Sequence, residues 1–450
     1  MVKLKTKFIC QNCGSSYPKW MGKCENCGSW NTLIEEIEES IGKNAVAKSI
    51  GKGKILQTQN LDEVISNKKQ DRISTGIADL DNVLGGGILP AGVLLIAGQP
   101  GIGKSTLLMQ VSSCIAQQKR VLYVSGEESA EQVAGRAKRL NAEKSPNLKF
   151  ASSTSADDIA ETILNGKFDL VVVDSIQTLA MSEVSSAAGS VSQITNSSNL
   201  IIQAAKKSGT AVVLVGHITK EGSIAGPKTL EHLVDVVLNF EGDRYGGFKV
   251  VRAIKNRYGS TTEAAIFEMG ENGLEIVENP SAALLAERRN TDGSIILATL
   301  EGTRPILVEI QALVSPSNFG YPKRTASGFD LNRLNILIAV LQQRTKLDLS
   351  DKDVFVNVVG GIKLSDQAAD LAVVMAIASA AAKRKLSDGM VVFGEIGLGG
   401  EIRSVVQAER RIAEAKKLGF TSALAPKTAS KNSFIVAVCD LREALIKYLQ

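Results

Sequence analysis

From residue 92 onward the chain alternates short, uninterrupted apolar runs with longer stretches in which apolar positions recur every three or four residues. GVLLIAG at 92–98, RVLYVS at 120–125, FDLVVVD at 168–174 and TAVVLVG at 210–216 are runs of the first kind. A run this short with no polar alternation reads as a strand covered on both faces, and the amphipathic stretches between such runs read as helices. Alternation of this kind through residue 240 predicts a mostly parallel, doubly wound α/β sheet. From about Leu285 the rhythm changes. Two long strand patterns (GSIILATLEGTRPILVEIQALV) lead to a helix over 330–344, a strand over 353–361 and a helix over 365–384, and the shorter runs MVVFGEIGLGGEIR and VVQAERRIAEAKKLGF follow. This second region predicts an α+β domain. Between Leu33 and Gln59 there is little period of either kind, so that stretch reads as a linker.

Length and composition narrow the picture. At roughly 100–200 residues per domain, 450 residues make two or three domains. Apolar residues are 44%, charged residues 22% and aromatics 4%, an ordinary balance for a globular protein packed on aliphatic side chains. The net charge is +5. Residues 1–60 hold nine Lys and five Glu and no other charge, which is +4, so +1 remains for the other 390 residues. Bulk charge therefore gives no argument for a polyanionic partner, and only local patches can. No apolar run approaches a membrane span, and the N-terminus lacks a secretory apolar region, so a cytoplasmic protein without membrane contact is expected.

Four of the six cysteines fall in CQNCGSSYPKWMGKCENCG: Cys10 and Cys13, ten residues, then Cys24 and Cys27. Two C-x2-C turns, each followed by Gly, can bring four thiolates to one tetrahedral Zn²⁺ with no open position, a structural site. Tyr17, Lys19, Trp20 and Lys23 lie between the pairs. They can stack on bases and touch phosphates, or the aromatics, with Trp30, can simply close the core of a small module. Cys114 and Cys439 stand apart and are expected to be inert buried thiols.

The strongest chemical signal is G-x-x-x-x-G-K-S between an apolar strand and an amphipathic helix: Gly98, Gln99, Pro100, Gly101, Ile102, Gly103, Lys104, Ser105, with Thr106 next. Such a loop wraps nucleotide phosphates in backbone N–H groups, with the lysine on the β and γ phosphates and the serine hydroxyl on Mg²⁺. ATP and Mg²⁺ are the expected ligands. RVLYVSGEES ends in Glu127 and Glu128. One can polarise the attacking water, and Glu127 is the choice, while either acid or Ser125 can instead start the next helix. FDLVVVD ends in Asp174, placed to hold Mg²⁺. The chain has two histidines. His217 follows the apolar run 210–216 and should emerge on the same rim as Lys104, Glu127 and Asp174, where it can sense a γ-phosphate. ITKEGSIAGP follows it as a glycine-bearing loop with Lys220, and Lys228 comes just after. His232 reads as a satisfied polar group at an element junction.

KNRYG at 255–259 follows another apolar strand. Lys255 and Arg257, two apart in an extended turn, point the same way. They can reach a neighbouring subunit's γ-phosphate, bind DNA directly, or pair with surface acids.

With STGIADLDNVLGGG, the P-loop, the cysteine pairs and KNRYG in place, the whole chain resembles the bacterial RadA family, also called Sms, whose K-N-R-F-G signature is matched with Tyr258 for Phe. The resemblance implies a RecA-type P-loop ATPase core preceded by a small four-cysteine zinc finger and followed by an α+β Lon-protease-like domain. It implies the divisions 1–33 zinc finger, 34–60 linker, 61–275 ATPase, 276–285 linker and 286–450 Lon-like. It also implies an ATP-driven motor of homologous recombination and DNA repair: a hexameric ring with single-stranded DNA in its channel, processing branched DNA, with recombinase or replication proteins as further partners. MSEVSSAAGSVSQITN and TKEGSIAGPKTLEH would be its DNA-facing loops, with Lys220, Lys228, Lys255 and Arg257 as contacts. By the Lon pattern, Ala368 stands near the expected Ser and Glu409 near the expected Lys, so proteolysis is not expected. Arg403, Arg410, Arg411, Lys416 and Lys417 offer a DNA surface or a plain solvated helix face. Rivals to the motor are an ATPase switch acting on protein partners, a peptidase in the Lon-like domain and a zinc adaptor that only binds partners.

Overall fold

The computed structural model describes residues 4–10, 14–30, 32–39, 60, 71–217, 229–242, 247–317, 321–427 and 433–449. The chain forms two compact units, Met1–Phe240 with Ala253–Ser260, and Glu241–Arg252 with Thr261–Gln450.

The first unit begins with a three-stranded sheet in which β1 (Leu4–Cys10) lies between β2 (Ser16–Tyr17) and β3 (Leu33–Glu39). The expected linker therefore starts later than Leu33. The strand runs to Glu39 in register with Leu4, and residues 40–59 lie outside the described residues.

The core strands follow. They are β4 (Val93–Gly98), β5 (Val121–Ser125), β6 (Leu148–Ser152), β7 (Leu170–Asp174), β8 (Ala211–His217) and β9 (Val236–Gly242), the last lying in this unit as far as Phe240. They pair in parallel in the order β9-β4-β8-β7-β5-β6. Every residue of β4, β5 and β7 is buried, which is why their sequences carry no alternation. The helices are α1 (Ala78–Val83), α2 (Lys104–Ile115), α3 (Ala130–Arg139), α4 (Ala156–Asn165), α5 (Val191–Ser208) and the short α6 (Thr229–Leu233). Side-chain caps from Ser129, Ser155 and Ser190 start α3, α4 and α5.

Strand β10 (Lys249–Asn256) joins the first unit from Ala253 onward; its earlier half pairs antiparallel with β11 (Ala264–Gly270), which pairs with β12 (Gly273–Ile276). The ATPase region is expected to continue to 275, and its strands do run on to β12, which ends at Ile276; Phe248, Val250, Ala264 and Ile266 are nonetheless buried in the second unit's hydrophobic core. The segment 276–285, expected to be a linker, is largely a helix. Asn279 caps α7 (Pro280–Leu285), which has Pro at its first position and buries Ser281 and Leu284.

The rest of the second unit is a seven-stranded mixed sheet, ordered β15-β16-β14-β13-β17-β20-β21, plus a two-stranded ribbon. The strands are β13 (Ser294–Glu301), β14 (Arg304–Pro316), β15 (Arg324–Ser327), β16 (Lys352–Val358), β17 (Met390–Val392), the ribbon β18 (Glu395–Ile396) and β19 (Ile402–Arg403), then β20 (Ser422–Pro426) and β21 (Ile435–Val438). Helices α8 (Leu331–Arg344), α9 (Ala369–Ala382), α10 (Ala408–Lys417) and α11 (Leu441–Leu449) complete it. Helix α9 is buried from Ala369 to Ser379 and, apart from Ser379 and Asp370, which pairs with Arg333, is apolar on every side, as a helix without a polar face must be. Cys114 and Cys439 are exposed, against expectation. Cys114 sits on the outer side of α2, whose buried face is set by Leu107, Leu108, Val111 and Ile115.

Candidate nucleotide site

The loop Gly98–Gly103 turns from β4 into α2. Gly103 starts the helix at φ +118, a left-handed conformation that favours glycine. A β-carbon on Gly98 would lie 2.6 Å from the Phe240 carbonyl oxygen, so only glycine lets β9 pack here. Ile102 is buried and anchors the loop, Gln99 and Pro100 are exposed, and Ser105 and Thr106 are partly buried in the first turn of α2.

Sheet register assembles the rim. Gly98 is opposite His217, and Ser125 is opposite Asp174. The Lys104 ammonium donates to the Gly98 carbonyl at 2.8 Å, the Gln99 carbonyl at 3.0 Å and His217 Nδ1 at 3.3 Å. Because an ammonium only donates, Nδ1 accepts, and the ring proton sits on Nε2. From there it donates to Glu127 Oε1 at 3.0 Å. The Ser175 hydroxyl donates to the same oxygen. His217 thus ties the loop lysine to the chosen base. Hydrogen bonding from His217 and Ser175 holds the Glu127 carboxyl below its ordinary range despite burial. Burial brings Lys104 down to about 8, opposed by the charges of Asp174 and Glu127. Asp174 is buried, and its Oδ2 accepts from the Tyr123 hydroxyl at 2.7 Å. Burial first, then Asp174, pushes that phenol well above its usual value.

The second acid goes elsewhere. Glu128 pairs with Arg136, its N–H donates to Ser125 at 3.0 Å, and Ser129 with Gln132 forms the capping box of α3. Glu127 is therefore left to the rim.

KNRYG closes against the loop before β4. A β-carbon on Gly259 would lie 2.8 Å from the Gly85 Cα, and Arg72 donates to the Leu84, Gly87 and Tyr258 carbonyls. Arg257, half exposed, pairs at 3.0 Å with Asp235, which is buried and also accepts from the Val93 N–H. Tyr258 feels the same acid; burial first, then Asp235, pushes its phenol up to about 12. Lys255 donates to the Glu231 and Val234 carbonyls at 2.6 and 2.8 Å, satisfying the end of α6. Its ammonium is committed there within the chain. His232 is exposed at that helix end. Lys220 and Lys228 lie outside the described residues.

At the amino terminus two near-identical knuckles face each other. Cys10 N–H donates to the Ser15 carbonyl and Gly14 N–H to the Cys10 carbonyl; Cys24, Ser29 and Gly28 repeat the pattern at the same distances, 2.9 and 2.8 Å. The sulfurs of Cys10, Cys24 and Cys27 lie within 4.8 Å of one another, with Cys10 and Cys27 at 3.6 Å. Sulfurs about 2.3 Å from one tetrahedral centre stand about 3.8 Å apart, so the trio fits Zn²⁺. Cys13 lies outside the described residues.

Residues 63–223 match the AAA domain family, 8–35 the rubredoxin metal binding domain, and 329–429 subunit ChlI of Mg-chelatase. DNA repair protein RadA of Bacillus subtilis is 46% identical over 99% of this chain and 99% of its own length. The chain belongs to the RadA family of DNA repair proteins. RadA proteins of Aquifex aeolicus, 46% identical over 95% of both chains, and Pseudomonas aeruginosa, 44% identical over 99% of both, are also similar. The crystal structure of the RadB recombinase aligns with 46% of this chain and all of its own, at 25% identity and a TM-score of 0.37. As in the resemblance read from sequence, this RadA-family chain joins a zinc ribbon, a RecA-like P-loop ATPase core and a Lon-like domain.

In that last domain Ala368 is buried at the start of α9 and Glu409 lies in the first turn of α10. Between these elements Arg411 pairs with Asp366 at 2.7 Å and donates to the Ala298 carbonyl at 2.7 Å. Asp366 also accepts from Thr299, Leu300 and Ala368. Arg411 is 0% exposed. It therefore belongs to no surface, correcting its place among the basic residues proposed for DNA. It shares the inward face of α10 with Ile412 and Ala415.

Sequence reasoning missed Tyr123, Ser175, Asp235 and Asp366. For the first three, a polar group within or beside an apolar strand run was the available signal, since each needs a partner when buried; Asp366, half-buried in the loop before α9, carried no such signal.

Proposed function

We propose that this RadA-family chain is an ATP-driven motor on single-stranded and branched DNA in recombination and repair, working as a hexameric ring. The observation that carries the reading is the line Lys104–His217–Glu127, which joins the phosphate-binding lysine to the water-activating acid at the strand end leading into 218–228. Incoming triphosphate exchanges the carbonyl partners of Lys104 for β- and γ-phosphate oxygens. Ser105 and Asp174 would hold Mg²⁺, which supplies charge neutralisation on those oxygens. Asp174 fits that part because Tyr123 orients it. Glu127, kept ionised, takes a proton from water as its oxygen attacks the γ-phosphorus. The bond to the β-bridging oxygen breaks, releasing ADP and phosphate. His217 reports the loss of Lys104's phosphate partner to the following segment, where Lys220 and Lys228 would meet DNA. Arg257 acts on a neighbouring subunit's phosphate once Asp235 releases it.

In the Lon-like domain Ala368 has no hydroxyl and Glu409 no amine, and the Asp366–Arg411 pair serves packing, so this domain is non-proteolytic.

The test is ATP hydrolysis with and without single-stranded oligonucleotide. The motor requires stimulation by DNA and loss of that stimulation in His217→Ala. Turnover indifferent to DNA in the unaltered chain would leave an ATPase switch on protein partners.

A further inference from the structure

The zinc ribbon keeps its two tryptophans out of its core. That core is Cys10, Cys24 and Leu33 with Phe8, Tyr17 and Met21 packed on it, and Tyr17 is committed to the knuckle, accepting from the Asn26 N–H at 3.0 Å with its oxygen 3.3 Å from Cys24 Sγ. Trp20 and Trp30 are instead 56% and 70% exposed. Both converge on Gly22, where a built β-carbon would lie 3.9 Å from Trp20 Cη2 and from Trp30 Cζ3. Lys23, bridged to Trp30 through the backbone, sets its ammonium 5.5 Å from that ring's centroid, and Lys19 is exposed beside Trp20. Glu25 is the acid on the same stretch.

Leaving two large apolar rings in water has a cost that burial in the module would have removed. Flat faces with ammonium groups beside them match a ligand that alternates flat π surfaces with negative charge. We propose that Trp20 and Trp30 form a stacking platform for unpaired bases of single-stranded DNA, with Lys19 and Lys23 on the flanking phosphates. The proposal rests on the DNA reading above and adds a subsite outside the ATPase rim. Double-stranded DNA fits poorly, because its bases already stack on one another.

The chain contains no other tryptophan, so intrinsic indole fluorescence in the full-length protein reports this site alone. Titration with a 5′-labelled oligothymidylate should quench the emission in parallel with the rise in label anisotropy, and a duplex of equal length should not quench it. Trp20→Ala/Trp30→Ala should weaken oligothymidylate binding by about tenfold or more, while Trp20→Phe/Trp30→Phe should keep most of the affinity; zinc content checks that the ribbon is intact. If anisotropy saturates with no quenching, or the double Ala variant binds as tightly as the parent, the platform is wrong and the DNA reading stands, leaving the indoles for a protein surface. If anisotropy never rises, both fail.

Discussion

Two of the chain's buried charges, Lys104 and Arg411, meet opposite outcomes. At the nucleotide rim, Lys104 is 4% exposed, yet its line of partners ends on His217 and Glu127, whose side chains are 25% and 37% exposed. In the Lon-like unit, Arg411 is 0% exposed and is held by an acid, two carbonyls and the face of Phe393. The rim keeps its polar groups linked but reachable, so partners can be exchanged. The second cluster encloses its charge, and what it supplies is architecture. Removing Lys104 should therefore remove chemistry, while removing Arg411 should remove stability.

The sharpest way to break that contrast is the pair Lys104→Met and Arg411→Met. Lys104→Met should lower ATP turnover by more than about a thousandfold, since no other group supplies that charge among the phosphates. Its melting temperature at pH 7 should be equal or higher. The folded value of about 8 is below the ordinary value of 10.5, so folding opposes the charged form, and the variant's advantage should shrink as pH rises from 8 toward 10.5. Arg411→Met leaves Asp366, whose side chain is 16% exposed, without its cation and should cost about 3 kcal/mol in calorimetry or denaturant unfolding. Arg411→Met with Asp366→Asn should recover part of it. If Arg411→Met melts normally, the cluster is not architectural.

Arg257 tests whether the rim extends between subunits. Arg257→Ala should retain nucleotide binding and lose turnover by about a thousandfold. In mixtures of variant and parent chains, a residue acting across an interface makes activity fall non-linearly with the variant fraction. Independent hydrolysis by each subunit would confine Arg257 to its Asp235 pair.

The same contrast explains what the sequence disclosed. The core strands, the phosphate loop and the rim positions of Asp174 and His217 were legible because uninterrupted apolar runs ending in Gly, Asp or His have one arrangement in a parallel sheet. The partners were not legible: Ser175 and Asp235 are single polar residues whose role depends on register with other strands. Arg411 was misread because AERRIAEAKK looks like a solvated basic helix, and only the packing of Ile412 and Ala415 shows that one arginine turns inward. The division of β10 between the two units was not legible, since no local pattern marks it.

A smaller effect follows from Lys104 titrating near 8. Nucleotide phosphates favour the ammonium, so ATP should raise the lysine's pKa and bind with proton uptake. Affinity should then fall by up to about tenfold per pH unit above pH 8. Calorimetric titration in buffers of different ionisation enthalpy measures that proton directly. An affinity flat from pH 7.5 to 9.5 would mean that burial does not control this lysine.

The smallest expected effect, and the most specific, concerns His217 as a positioning residue for Glu127. Its hydrogen bond is the largest influence lowering that carboxyl. In His217→Ala the carboxyl should move up, so the acid limb of the turnover profile measured without DNA should shift to higher pH while those basal rates near pH 8 change little. A carboxyl with a lowered pKa loses its base form only as pH falls through that value, and raising the value brings the loss nearer neutrality. His217→Gln, whose amide can still donate, should place the limb between the two. An acid limb that stays put in His217→Ala would separate the histidine from the base, and the line from lysine to carboxylate would then be geometry without chemical consequence.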